Sequence, residues 1–527
     1  MGGEMKEVNK FKEAYRLHQG GHFDDAQKIY EEILINNPKH FDSLHLLEVI
    51  LTKSNPQKAV DLISSAIEIN PTLSECFVNA ANALIQLGQY EVAMSCCYQA
   101  TAIKSDSWQA LHCLGFCLSR LNRGEEALEV YDKALSLAPN VAGIYLGRGA
   151  AYEAQYRFSE ALQDYDKAIK LKSDFADAHT NRGNALMALG IHDEALKSHN
   201  RAIQFRPDFA DAHMNNAVAL LAMGDFRSGW SEYSWRLEKD RPDLISYPSS
   251  KPYLEPTGFN SRILVLSEQG VGDHIFFGRL LSELKVIAQD VVARVDYRLI
   301  PLFQRSMPDI HFIPEGLIIP ENLYDFQIFI GELPRYFRNS IDDFLGKSDS
   351  YLVADKERAT AIRRELCIKG EILIGISWKS KNATVGQKRS LDLSSFSAAL
   401  NIPGVKLVNL QYGDVSAEIA QVKSELGVDV LRCATVDNMS DLDGLASLIE
   451  ACDLVISADN TTVHLAGALG KPVWICLPAI PNWRWMMEVC DSPWYPSAKL
   501  YRQDRLGDWG CVLDAIGQDC LEVAGLV

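Results

Sequence analysis

A spacing of about 34 residues recurs through the first 240 residues and constrains this chain more than any other feature. Proline or serine stands at equivalent positions 33 or 34 residues apart, at Pro38, Pro71, Ser105, Pro139, Ser173 and Pro207. Small residues recur in step with them, at Gly115, Gly149, Gly183, Ala127, Ala161 and Ala195. This period is typical of stacked helix–turn–helix units, each of which buries its apolar face only against its neighbours. The first half of the chain is therefore predicted to be all-α.

The repeating units resemble the tetratricopeptide repeat (TPR), in which two helices cross at small side chains. Residues 87–93 and 189–195 are good versions of its inter-helix turn. We count about seven units over 6–241, and the second is irregular around Pro56. The resemblance implies a superhelical TPR array.

The groove of such an array is the expected binding surface, because the first helices line its concave side and suit an extended peptide. The sixth position of successive units is occupied by Asn79, Cys113, Gly147, Asn181 and Asn215. In the O-GlcNAc transferase family, asparagines at this position hold the main chain of an acceptor peptide. The resemblance implies this acceptor-binding role for Asn79, Asn181 and Asn215, whose amides both donate and accept. The alternative is that they are simply solvated. A homo-oligomer formed through the repeats is also left open.

A different pattern begins after the repeats. Residues 242–261 are rich in proline and are interpreted as a connector. From Arg262 onward, short apolar runs alternate with helical stretches, which indicates parallel α/β sheets. The expected strands are 263–266, 291–295, 326–330, 373–377, 405–410, 454–457 and 473–477. We expect two subdomains, 262–350 and 365–527, with a ligand between the carboxyl ends of their strands.

Residues 458–473 read as the end of a strand, a tight turn, a helix and a second strand. The free N–H groups at a helix N-terminus attract anions. The segment resembles the nucleotide-diphosphate-sugar site of heptosyltransferase-like glycosyltransferases, which have the GT-B fold. The resemblance implies two Rossmann-like subdomains, the first of them reduced. It also implies that Thr461, Thr462 and His464 contact the diphosphate and that Asp459 faces the sugar. The alternative for His464 is a cap on the turn.

A second candidate turn follows the first expected strand. Gly270 and Gly272 allow the close approach of a ligand, and Asp273 and His274 stand at the start of the next helix. In heptosyltransferase-like enzymes the matching aspartate is the proposed general base, so the resemblance implies that Asp273 removes the proton of the acceptor hydroxyl. The alternative is that Asp273 only stabilises the helix N-terminus. His274 is the second candidate for the base.

Three basic residues and one polar pair complete the expected donor site. Lys379 follows the strand at 373–377, where the family has a lysine that offsets charge on the departing diphosphate. Arg389 adds a second cation. Gln411 and Tyr412 stand where the family contacts the nucleoside, although an acidic residue often occupies that place. Arg484, between two tryptophans, is interpreted either as a clamp for a phosphate or as part of the core.

Composition narrows the class of partner. The formal charge is −17, from 52 basic and 69 acidic residues, which disfavours nucleic acid as a partner. No apolar run approaches the length that spans a membrane, and a cytoplasmic location is expected. The pair Asp441 and Asp443 suits helix capping better than metal binding, so no metal and no cofactor are expected.

Together these resemblances imply an inverting, metal-independent protein O-glycosyltransferase. The repeats would capture a polypeptide, and a nucleotide-sugar would be the donor substrate. Similar fusions include bacterial protein glycosyltransferases, among them enzymes that glycosylate flagellin. One alternative is a non-catalytic scaffold with a degenerate glycosyltransferase half. Another is an enzyme with a glycan or lipid acceptor.

Overall fold

The chain forms two compact units, Met1–Ala212 and His213–Val527. The computed structural model describes residues 2–238, 247, 249–346, 348–367, 370–380, 386–487 and 489–526. Of the expected connector, residues 242–246 and 248 lie outside the described residues. The sequence placed a boundary at 241, whereas the compact units divide between Ala212 and His213.

The first unit is helical throughout its described part, as expected for a TPR array. Its helices are α1 (Gly2–Gln19), α2 (Phe23–Asn36), α3 (Phe41–Ser54), α4 (Pro56–Ile69), α5 (Ser74–Gln86), α6 (Tyr90–Ile103), α7 (Trp108–Arg120), α8 (Gly124–Leu137), α9 (Ala142–Ala154), α10 (Phe158–Leu171), α11 (Ala176–Ala188) and α12 (His192–Phe205). From α5 to α12, a first helix of 13 residues alternates with a second helix of 14 residues. With the turns between them, these lengths produce the 34-residue period.

The recurring glycines allow the two helices of a pair to cross closely. A Cβ on Gly115 would lie 2.8 Å from the ring of Tyr131, and one on Gly183 would lie 2.4 Å from the ring of His199. Both distances are too short for a side chain to be added without a shift of the aromatic ring. The small position of the first helix and the large ring of the second are therefore complementary in size, which explains why both recur in the sequence.

The second unit begins within α13 (Ala210–Ala222) and continues as an α/β structure. Its other helices are α14 (Phe226–Tyr233), α15 (Val271–Ile287), α16 (Ile300–Ser306), α17 (Pro334–Phe337), α18 (Lys356–Leu366), α19 (Gly386–Arg389), α20 (Leu393–Ala399), α21 (Ser416–Leu426), α22 (Leu442–Ala451), α23 (Thr461–Ala468) and α24 (Gly510–Val523). Its strands are β1 (Arg262–Leu266), β2 (Asp290–Val295), β3 (His311–Pro314), β4 (Phe326–Phe329), β5 (Ile372–Ser377), β6 (Val405–Asn409), β7 (Val430–Leu431), β8 (Leu454–Ala458), β9 (Val473–Leu477) and β10 (Ala498–Arg502).

The strands form two parallel sheets, which confirms the expected α/β organisation. The first has four strands in the order β3-β2-β1-β4, and the second has six in the order β10-β9-β8-β5-β6-β7. All seven expected strands are present within a residue or so of their predicted bounds. β1 is interior to the first sheet and β5 and β8 are interior to the second, so the loops that follow them leave from the middle of a carboxyl edge.

The helix α14 packs inside the second unit. The side chain of Trp230 is 2% exposed and belongs to the main core of the α/β unit. Its indole Nε1 donates to the carbonyl oxygen of Arg338 at 2.6 Å. The last helix of the repeat pattern is therefore also a structural part of the second unit. None of the described helices is both long and apolar enough to cross a membrane.

Candidate functional site

The first turns of α15 and α23 lie against each other. α15 follows β1 in the first sheet, and α23 follows β8 in the second. A Cβ on Gly272 would lie 3.3 Å from Cδ2 of His464 and 3.6 Å from Oγ1 of Thr461, whereas a Cβ on Gly270 would meet nothing within 4 Å. Gly272 thus permits the two helix N-termini to approach, and Gly270 borders open space. Two N-termini with their positive dipole ends together favour an anion between the sheets.

A buried ion pair between Glu268 and Arg236 stabilises the turn before α15. Glu268 accepts from Nε and Nη2 of Arg236 at 2.8 and 2.7 Å, and from the backbone N–H of Gly331 at 2.7 Å. The side chain of Glu268 is fully buried. The backbone of its neighbour Gln269 has a φ of +61°, a conformation that residues other than glycine rarely adopt. The contacts of Glu268 stabilise this strained turn.

Asp273 is paired with Arg484 across the two subdomains. Oδ1 of Asp273 accepts from Nη2 of Arg484, and Oδ2 accepts weakly from the N–H of Gly270 at 3.4 Å. The guanidinium of Arg484 also lies 5.0 Å from the ring centre of Phe276 and 4.8 Å from that of Trp483. Both expected roles of Asp273, at the helix start and facing the site, are thus compatible with its position.

A second acid–base pair lies near the first. Oδ2 of Asp459 is 3.0 Å from Nη1 of Arg389, and the side chain of Asp459 is 4% exposed. Asp459 is the residue after β8, and Arg389 is the last residue of α19. Two arginines, each matched by a carboxylate, therefore flank the N-terminus of α23. Both arginines are close enough to His464 for their positive charges to lower its pKa.

Asn460 connects the loops at the carboxyl edge of the second sheet. Its Oδ1 accepts from the N–H of Thr462 at 2.9 Å, and its Nδ2 donates to Oγ of Ser377 at 2.8 Å and to the carbonyl of Lys379 at 3.0 Å. The side chain thus caps α23 and ties it to the end of β5. The sequence analysis missed this residue, although asparagine directly before a helix is a common N-cap.

Gln411 is used within the protein rather than exposed to a ligand. Its Oε1 accepts from Oγ of Ser377 and from the backbone N–H groups of Trp378 and Lys379 at 3.0, 2.9 and 2.7 Å. Its Nε2 donates to the carbonyl of Lys379 at 3.2 Å. Gln411 could contact a nucleotide-sugar only by giving up these hydrogen bonds. Its observed role is to position the loop after β5. Tyr412 follows it at the rim of the carboxyl edge.

The ammonium of Lys379 contacts a carboxylate. Nζ lies 2.8 Å from Oε2 of Glu418, which also accepts from Nε1 of Trp378 at 3.0 Å. The side chain of Lys379 is 44% exposed. Because the pair is accessible to solvent, its strength is modest, and an anionic ligand can compete for the ammonium.

His464 is held neutral. Burial, together with the positive charges of Arg484 and Arg389, keeps the pKa of His464 well below its usual 6.5. Its ring stacks on that of Trp485 at 5.6 Å, and Nδ1 lies 3.1 Å from the hydroxyl of Tyr495. The ring edge that carries Cδ2 and Nε2 faces Gly272. The neutral imidazole therefore presents Nδ1 to Tyr495 and Nε2 toward the first turn of α15.

His274, the second candidate for the base, has one ring nitrogen engaged within the first subdomain. Its Nδ1 accepts from the backbone N–H of Asp296 at 3.1 Å, so the remaining proton is on Nε2. Burial lowers its pKa, and the ring is 1% exposed. Its lone pair is thus already engaged inside the first subdomain.

A cavity of about 570 Å³ opens at the carboxyl ends of β6 and β7. Gln411, Gly413, Asp414 and Asn438 are among its lining residues. Asn438 donates to the carbonyls of Asn409 and Gln411 at 3.0 and 3.2 Å, and its Oδ1 has no partner. The cavity is on the same edge of the sheet as Lys379 and the N-terminus of α23.

The tryptophans near the chain's end are core residues. Trp485, Trp494 and Tyr495 are at most 2% exposed and pack in the main core. Arg484 differs from them because its guanidinium reaches Asp273. The aromatic rings of this segment therefore pack in the core, whereas the guanidinium of Arg484 faces a carboxylate of the candidate site.

Asp441 caps α22, and Asp441 and Asp443 each form an ion pair with an arginine. Oδ1 of Asp441 accepts from the N–H of Gly444 at 2.8 Å, and Oδ2 accepts from Arg358 at 2.6 Å. Asp443 is paired with Arg305. Among the described residues, no group of three or more His, Cys, Asp or Glu side chains is arranged to hold a metal ion.

The three expected acceptor asparagines differ in surroundings. Nδ2 of Asn79 donates to Oε1 of Glu48 at 2.6 Å, so this amide already has a partner in the first unit. Asn181, on α11, is half-buried near the hydroxyl of Tyr165. Asn215 is half-buried on the part of α13 that belongs to the second unit. The structure therefore does not place the three in one compact unit.

Four family models of the tetratricopeptide repeat match this chain, over residues 74–107, 108–141, 157–190 and 176–209. The first unit therefore contains tetratricopeptide repeats. Protein FlbA of Caulobacter vibrioides is 30% identical to this chain over 303 residues, which are 53% of this chain and 50% of FlbA. A small glutamine-rich tetratricopeptide repeat-containing protein of Mycosarcoma maydis is 33% identical over 95 residues, 18% of this chain and 27% of that protein. The matches thus span about half of the first relative and about a quarter of the second.

Among solved structures, a tetratricopeptide repeat protein from Parabacteroides merdae is similar over 45% of this chain and 94% of its own. It is 15% identical, with a TM-score of 0.39.

Proposed function

We propose that the second unit transfers a sugar from a nucleotide-sugar to a Ser or Thr hydroxyl of a polypeptide held by the repeats. The observation that carries the proposal is the meeting of the α15 and α23 N-termini beside Arg484 and Arg389. A diphosphate carries the charge and the acceptor oxygens that such a site favours. The placement of both helices after interior strands supports a GT-B-like cleft.

The two ion pairs support an exchange of partners when the donor binds. Without an anion, Asp273 neutralises Arg484 and Asp459 neutralises Arg389. A bound diphosphate competes for both guanidinium groups, and the carboxylates are released toward the sugar and the acceptor. Donor binding would thereby convert Asp273 from an ion-pair partner into an available base.

The chemistry assigned to these residues is a direct displacement. The acceptor oxygen attacks the anomeric carbon, the bond from that carbon to the diphosphate oxygen breaks, and the hydroxyl proton passes to Asp273. The nucleoside diphosphate leaves with its new negative charge stabilised by Arg484, Arg389 and Lys379. The carbon is attacked opposite the leaving group, so its configuration inverts. No metal step is included.

The nucleoside is assigned to the cavity beside Gln411. Its volume suits a nucleoside, and its position on the carboxyl edge adjoins the proposed diphosphate site. Contact with the ribose is assigned to the loop around Tyr412 and Asp414 rather than to the amide of Gln411. Peptide capture is assigned to the first unit, and flagellin is one acceptor to be tried.

The decisive test is single-turnover transfer by Asp273→Asn. Loss of the base should slow transfer about 100-fold or more while nucleotide binding is retained. Asp290→Asn is the matched control, because this exposed aspartate lies at the opposite end of the first sheet. Mass spectrometry of a co-expressed flagellin, with a panel of nucleotide-sugars, would identify the product. Equal rates for Asp273→Asn and Asp290→Asn would refute the assignment.

A non-catalytic scaffold is the second candidate, and one observation favours it. Asp273, Lys379 and Gln411 all have partners within the protein, as expected of a half that has lost its substrate. Titration calorimetry with the nucleoside diphosphates separates the two. An enzyme binds one of them and loses that binding in Arg484→Met, whereas a scaffold of this kind binds none. A product on a glycan or lipid, with no mass shift on protein, would favour the other acceptor class.

A further inference from the structure

The second repeat has a carboxylate where its neighbours have a small residue. Glu48 is the eighth residue of α3, and the eighth residues of α5, α7, α9 and α11 are Ala81, Gly115, Gly149 and Gly183. The eighth residue of the second helix is a ring in α8, α10 and α12, but it is Ile63 in α4 and Cys97 in α6. The second pair thus combines a long acidic side chain on its first helix with an aliphatic one on its second.

One oxygen of this carboxylate has a strong partner and the other does not. Oε1 accepts from Nδ2 of Asn79 at 2.6 Å, while Oε2 is buried with at most a weak contact from the hydroxyl of Thr52. Glu48 is 0% exposed, and burial raises its pKa to about 7. A buried carboxylate oxygen without a strong partner is costly, and a donor from a ligand would remove that cost.

Glu48 forms part of the floor of a cavity of about 680 Å³, which we call the Glu48 cavity. Two large apolar side chains line it and are exposed, Phe23 at 49% and Val49 at 46%. Asp24 and Lys53, also exposed, lie on its wall with opposite charges that offset each other. Glu48 is therefore the group that sets the preference of the floor, because a cation or a strong hydrogen-bond donor beside it would stabilise its ionised form.

We propose that the Glu48 cavity binds a polypeptide segment that places a lysine or arginine side chain against Glu48 and an apolar side chain against Phe23 and Val49. The amides of Asn82 and Gln86 line the same cavity, and amide groups of this kind can pair with a peptide main chain. The volume has room for a few residues rather than a folded domain. The site discriminates against acidic segments because they would place like charges together.

This inference rests on the proposed capture of a polypeptide by the first unit and does not depend on sugar transfer by the second. The test is selection of peptides from a random ten-residue display library by the full chain. The wild type should enrich a basic residue at one position next to an apolar one. Glu48→Gln, which keeps the shape and removes the charge, should lose the preference for the basic residue and keep the apolar one. Glu75→Gln, an exposed acid on α5 outside the cavity, is the matched control and should select as the wild type does.

A second measurement needs no variant of the protein. Replacing the selected lysine by norleucine in a synthetic peptide should weaken its binding to the wild type about tenfold or more, because the charge-assisted bond to Glu48 is lost. The same replacement should change binding to Glu48→Gln by less than about twofold. Enrichment of no basic residue, or equal loss with both proteins, would overturn the proposal. Since binding is the readout, failure here leaves the transfer assay unaffected.

Discussion

The buried pair of Glu268 and Arg236 stabilises the turn at Gln269 through charge. Arg236 is 3% exposed and also donates to Glu332 and to the carbonyl of Tyr233. A buried ion pair adds little net stability relative to apolar side chains, yet removing one partner leaves the other uncompensated. The strained turn therefore depends on both residues being present.

Glu268→Gln should destabilise the second unit by about 2–3 kcal/mol, because Arg236 would retain only Glu332 as a charged partner. Urea unfolding followed by tryptophan fluorescence measures this, since eight of the nine tryptophans lie in the second unit and only Trp108 lies in the first. Glu522→Gln, an exposed acid on α24, is the control and should change stability by less than about 0.5 kcal/mol. Matching midpoints for the two variants would contradict this role of Glu268.

The sequence could not predict which polar side chains of the candidate site pair with one another. Asp273 and Asp459 were selected from their places after strands and Arg484 from the aromatic segment around it, yet their pairing joins residues far apart in the chain. His274 and Gln411 were selected by the same reasoning, but their polar atoms point into local hydrogen bonds. The position of a residue after a strand follows from sequence pattern, whereas the direction of its side chain depends on packing.

At the scale of elements, close helix crossing is the physical origin of the repeat. Gly183→Ala should destabilise the first unit by about 1–3 kcal/mol, since the added Cβ would lie 2.4 Å from His199. Gly143→Ala is the matched control, because a Cβ there meets nothing within 4 Å. Amide hydrogen exchange of α11 and α12 measures the difference. Equal protection in the two variants would show that the crossing tolerates a methyl group.

Strand prediction succeeded for the six interior strands and for the edge strand β4, and it failed for the other three edge strands. The three strands missed, β3, β7 and β10, all lie at an edge of their sheet. β3 has four residues and is exposed at both ends, and β7 has only two residues. These three strands lack the continuous apolar run of the interior parallel strands, so their sequences resemble loops. The interior strands, which position the candidate site, were all predicted.

At the scale of the whole chain, the boundary between the units decides which fragments can fold. Residues 213–527 should fold alone, whereas 242–527 should not, because the shorter fragment lacks Trp230 and Arg236. Near-ultraviolet circular dichroism and cooperative urea unfolding distinguish the two. A well-folded 242–527 fragment would mean that α14 is dispensable to the core. The repeat period alone could not reveal this, since α13 and α14 continue its spacing.

The shared use of α14 limits how the array can vary in length. Arg236, three residues beyond this helix, bonds directly to the turn that presents Asp273. Whole helix pairs can be gained or lost before α13 without touching this bond, and each change would alter the length of the array. The final pair cannot be exchanged in that way. Variation in the number of repeats should therefore occur on the amino-terminal side, with α14 retained as part of the second unit.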